Sequence, residues 1–116
     1  MSATAIVNTK LKLNEGTAMP TAVAADATDG ALVDYTGRED GRILLLLENS
    51  GTSAATATIK AGNALQGTED LAVSIAGSGT SVVTVESGKF VNVYGPNKGK
   101  LQVTGTGVKV AAIELP

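Results

Sequence analysis

Residues 42–61, RILLLLENSGTSAATATIKA, set the architecture of this chain. Arg42 to Glu48 is its most hydrophobic stretch and carries leucine on both faces. It therefore reads as a central strand, covered on one side by the core and on the other by a flanking arm or a partner. Asn49-Ser50-Gly51-Thr52-Ser53 closes it with turn formers. Ala54 to Ala61 then alternates, with Ala55, Ala57, Ile59 and Ala61 on one face and Thr56, Thr58 and Lys60 on the other. A repeat of two residues is the signature of a strand with one buried face.

The same alternation extends in both directions. Downstream, Gly62 to Glu69 is a loop whose only large apolar residue is Leu65, and Asp70 to Ala76 turns Leu71, Val73 and Ile75 inward. Beyond Gly77-Ser78-Gly79, Thr80 to Glu86 carries Val83 and Val85 on one side. Lys89 to Tyr94 reads as a further strand, with Phe90, Asn92 and Tyr94 on one face. Gly95 to Gly99 is a turn by composition, Lys100 to Thr104 supplies Leu101 and Val103, and Gly105-Thr106-Gly107 turns the chain again. In Val108 to Leu115 the alternation slips, and a bulge near Ala111 or Ala112 would let both apolar sets face the core.

Upstream, Thr36 to Gly41 is a charged turn and Ala31 to Tyr35 a short strand. Thr17 to Gly30 is rich in Ala and Thr, contains Pro20, and has no periodicity; it reads as an extended arm. Ala3 to Leu13 alternates around Ile6, Leu11 and Leu13 and is expected to be a strand. Eight or nine short strands spaced by about 8–12 residues predict an all-β fold. The expected form is a two-sheet antiparallel β-sandwich of jelly-roll or immunoglobulin-like topology, made by residues 31–116, with residues 1–30 as an N-terminal strand and arm of the same domain.

Composition narrows the chemistry. The 116 residues include no His, no Cys and no Trp. That removes the usual nucleophile–base pairs, most zinc sites and any disulfide. Nine basic against eleven acidic residues leave a net charge of -2, which offers no steering toward nucleic acid or an anionic membrane. The N-terminus lacks the charged head and apolar core of a signal peptide, and the run from Ile43 to Leu47 is far short of a membrane span. A soluble product made in the cytoplasm is expected.

The remaining candidates are carboxylates and exposed apolar residues. Glu39-Asp40 and Glu69-Asp70 sit in turns where water keeps both acids ionised, so they read as solvated turn residues before they read as a hydrolytic pair. Weak calcium binding is the other role open to them and to Asp26 and Asp29. Lys98 and Lys100 flank a turn near Tyr94 and make only a sparse basic patch. No cofactor is implied. Contact residues for a partner are expected in the arm and on the loops: Met19, Pro20, Val23, Leu65, Tyr94 and Lys98.

The segments ILLLLENSG (43–51), AATATIKAG (54–62), GTEDLAV (67–73), VESGKF (85–90) and VKVAAIELP (108–116) resemble a group of small proteins encoded in the structural-gene regions of tailed bacteriophages. The resemblance covers about Gly41 to Pro116. It implies a non-enzymatic virion component, made in the host cytoplasm, that decorates or stabilises the head by contact with the major capsid protein. A homo-oligomer, with a trimer favoured, is part of that expectation; nucleic acid and membrane are not. A tail or fibre module that binds a receptor or glycan is the competing expectation.

Overall fold

The computed structural model describes residues 3–35 and 41–116, and it is nearly all β. The strands in chain order are β1 (Thr4–Ile6), β2 (Thr9–Lys10), β3 (Val23–Ala24), β4 (Ala31–Asp34), β5 (Ile43–Asn49), β6 (Ala55–Ile59), β7 (Leu71–Ile75), β8 (Thr80–Val83), β9 (Lys100–Thr104) and β10 (Val108–Glu114). A single helical turn, α1 (Ser87–Phe90), precedes β9.

Two sheets pack face to face. One runs β1-β4-β9-β6-β7 and the other β2-β10-β5-β8, with β3 also paired to β10. The interior pairings are antiparallel, whereas β1 on β4 and β2 on β10 are parallel. The molecule measures 38 × 37 × 23 Å, thin in one direction as two stacked sheets require.

Between the sheets lies a core of branched aliphatics. Ile43, Leu45 and Leu47 of β5 face Val33, Leu101, Val103 and Ile59 of the opposite sheet, all with no exposed surface. Of the residues expected inside from their phase, Leu45, Ile59, Ile75, Val103 and Val110 are buried. Leu71, Val73 and Val83 share that phase but stand on the outer strands β7 and β8, where they are half-buried and pack against the core.

Three local expectations are corrected. First, β10 pairs with β5 in unbroken register from Val108↔Asn49 to Glu114↔Ile43, without a bulge. Val108, Val110 and Ala112 face the core. Ala111 and Ile113, in the opposite phase, are buried too, and Ala111 borders a groove flanked by the segments around Ile6 and Pro20. Burial on both faces explains the phase slip in the sequence.

Second, residues 89–94 do not form a strand. Ser87–Phe90 makes one helical turn, closed by Val91 N–H donating to Ser87 O at 2.9 Å. Val91 makes an isolated bridge to Leu101, and Asn92 N–H donates to Lys100 O at 3.0 Å while Asn92 O accepts Gly99 N–H at 2.8 Å. The turn sets Phe90 against the core, so the aromatic ring is packed without an added strand.

Third, Ala3 to Leu13 is not one strand. The chain crosses at Val7–Asn8 from the edge of β4 to the edge of β10. Ile6, at the end of β1, is buried, while Leu13 lies in the turn beyond β2 and is exposed. The segment before Ala31 thus places β1, β2 and β3 in the sheets.

Candidate functional site

The six contact residues named from the sequence fall into two separate groups. Leu65, Tyr94 and Lys98 belong to loops at the end of the sandwich where β9 begins. Asn63 ties those loops together: its Nδ2 donates to Tyr94 O at 3.0 Å, and its Oδ1 accepts Val93 N–H at 2.7 Å. Gly62 N–H adds a bond to Lys89 O at 3.0 Å. This hydrogen-bonded pair of loops exposes Leu65, which is 99% exposed, and Tyr94. Lys98 is exposed, while Lys100 is half-buried in register with Asp34, so the two lysines do not make a common basic face.

Next to these loops, a shallow depression of about 180 Å³ is bordered by Glu69, Asp70, Lys89 and Phe90. Asp70 is engaged there: it accepts Ala61 N–H at 2.7 Å and lies 2.9 Å from Lys60 Nζ. The amide of Ala61 first, and Lys60 second, hold its carboxyl below the usual carboxylate range. An acid so held stays ionised near neutrality and has no proton to give to a leaving group. Glu39 and Asp40 lie outside the described residues.

Asp26 caps its own turn, with Oδ2 accepting the N–H groups of Asp29 at 2.9 Å and Thr28 at 3.1 Å, and these bonds lower its pKa. Among the described residues, no three His, Cys, Asp or Glu side chains are grouped to hold a metal ion. None of the helices among them is long and apolar enough to cross a membrane.

Pro20 and Val23 belong to the second group, on the side where the N-terminal segment lies over β10. A groove of about 280 Å³ runs there between Ile6–Val7 and Pro20–Val23, with Val110 and Ala111 at its floor. Met19 stands beside it, exposed. Val7, 87% exposed and not singled out as a contact by the sequence, lines this groove, and Leu13, 76% exposed and likewise not singled out, lies in the turn that follows β2. Leu13 had the phase of a core residue in the expected strand. The one signal for Val7 is its position opposite in phase to Ile6.

Neighbouring Val7, Asn8 bridges the two sheets. Its Nδ2 donates to Asp34 O at 2.9 Å and to Glu114 Oε2 at 3.1 Å. This side presents an apolar groove built on short strands that edge both sheets. No family model, curated protein or solved structure matches this chain.

Proposed function

We propose that the chain is a non-enzymatic virion structural protein that decorates or stabilises a phage capsid through protein–protein contacts. The observation that carries this reading is the groove on the N-terminal side, lined by exposed Val7 and Val23, on a segment whose connecting loop also exposes Leu13 and Met19. Exposed apolar side chains that line one groove mark an interaction surface. The resemblance of residues 41–116 to small tailed-phage structural proteins supplies the class of partner, the major capsid protein or a neighbouring virion protein. Many copies on a symmetric lattice, as trimers in the favoured arrangement, would hold by multivalent contact. The reading takes no cofactor, nucleic acid or membrane. Mass spectrometry of purified virions, with a cryo-EM map of the head, tests it; absence from mature particles removes it.

The second reading is a receptor- or glycan-binding module of a tail or fibre. It is favoured by one feature, the exposed Leu65–Tyr94 pair on hydrogen-bonded loops. A glycan array probed with the protein and with Tyr94→Ala tests it. A flat response across host polysaccharides counts against it.

A further inference from the structure

We propose that residues 3–10 exchange between copies of this chain, each copy's β1–β2 segment seating on the β4 and β10 edges of a neighbour. The seat is specific to this segment. Thr4 and Ile6 pair with Ala31 and Val33, and Thr4 N–H donates to Gly30 O at 2.9 Å. Ile6 enters the core, and the Asn8 amide finds Asp34 O on one sheet and Glu114 on the other. The same segment of a second copy fits that seat bond for bond, which a foreign strand does not. Both strands add only to sheet edges, so they can leave without breaking an interior ladder.

The connector permits the movement. Residues 12–19 are all exposed, and among the described residues no backbone hydrogen bond anchors 12–22. Residues 12–21, between Leu11, whose N–H donates to Glu114 O at 2.9 Å, and buried Ala22, can extend to about 35 Å, close to the longest dimension of the molecule, 38 Å. Exchange of an identical element conserves every contact of the closed form, so the balance is decided by the tether and by new contacts. The tether favours closure, since the segment meets its own seat at an effective concentration on the order of millimolar. New contacts favour exchange: Leu13 and Met19, open to solvent in the single chain, lie on the connector. Two connectors side by side cover them. The exchange rests on contacts within this chain and is independent of the capsid reading.

The chain has no native thiol, so a Cys pair reports the pairing directly. Ala5 and Leu32 are register partners across β1 and β4, at a spacing that a disulfide spans. The double variant A5C/L32C, oxidised at high protein concentration, is expected to give covalent dimers or larger rings on a non-reducing denaturing gel. Their yield should exceed that of A5C alone several-fold. Light scattering of the unmodified protein is expected to show a mass above one chain that rises from micromolar to millimolar concentration. Bridges formed only within single chains overturn the proposal, as does a one-chain mass across the whole range.

Discussion

Asn49 ends the most hydrophobic strand of the molecule with a buried carboxamide. Its Oδ1 accepts Gly51 N–H at 2.9 Å, and its Nδ2 is shared among Ser53 O at 2.7 Å and Ile75 O and Ala76 O at 3.2 Å each. One side chain thus joins β5 to the far end of β7 in the other sheet and satisfies carbonyls that water reaches poorly. Asn49→Ala leaves those groups unpaired and is expected to cost about 1–3 kcal/mol, measured as a fall in the urea midpoint. Leu45, with no exposed surface, loses transfer energy and leaves a cavity when cut back, so Leu45→Ala should cost about 2–5 kcal/mol. Leu71→Ala, at the half-buried edge, should cost distinctly less; equal losses would mean that β7 is as enclosed as β5. Asp70 carries a pH signature. Its folded-state pKa is lowered, so its contribution is complete above the unfolded carboxylate value of about 3.9. It disappears as pH falls through the depressed folded value. Asp70→Asn should therefore lower the urea midpoint at pH 7, and the difference from the native chain should shrink on acidification below about 4.

At the scale of elements, β5 and β10 carry the sandwich. They pair along their whole length, and both have apolar residues in both phases. For β5 the sequence made this legible as a run of leucines. For β10 it appeared as a slip in alternation, because a bulge and a second buried face produce the same pattern of residues. The segment before Ala31 supplies cover at the edge of β10 through β2 and β3. Gly30, where that segment turns into β4, has φ 73°, and a Cβ there would stand 2.1 Å from Val103 O. The turn thus depends on glycine at this position. Deleting residues 1–30 removes Ile6 from the core and leaves β4 and β10 with open edges. The remaining strands keep their own ladders, so the truncated chain is expected to retain a β-type circular dichroism spectrum and a cooperative urea transition at a clearly lower midpoint. Loss of any cooperative transition would make the leading strands indispensable to the sandwich.

For the molecule as a whole, the division between local and long-range information is sharp. The amino-acid order alone determined an all-β chain of short strands, the inward phase of β6, β7 and β9, and the apolar character of both faces of β5, of which Ile43, Leu45 and Leu47 are buried in the core while Leu44 and Leu46 are half-buried. Each of these is a property of neighbours in the chain: period two, β-branched content, and turn formers at the breaks. Of the six residues it named as possible partner contacts, Met19, Val23, Leu65, Tyr94 and Lys98 are exposed and Pro20 is half-buried. Only the tertiary structure decided that Ala3 to Leu13 divides between two sheets, that Leu13 and Val7 face water, and that residues 87–90 coil instead of extending. It alone separated the candidate contacts into a loop end and an N-terminal side. The physical reason is common to all of them. Whether an apolar residue is buried depends on which strand lies across from it, and a strand's partners come from residues as distant as Thr9 and Ile113, a pairing that no local pattern encodes.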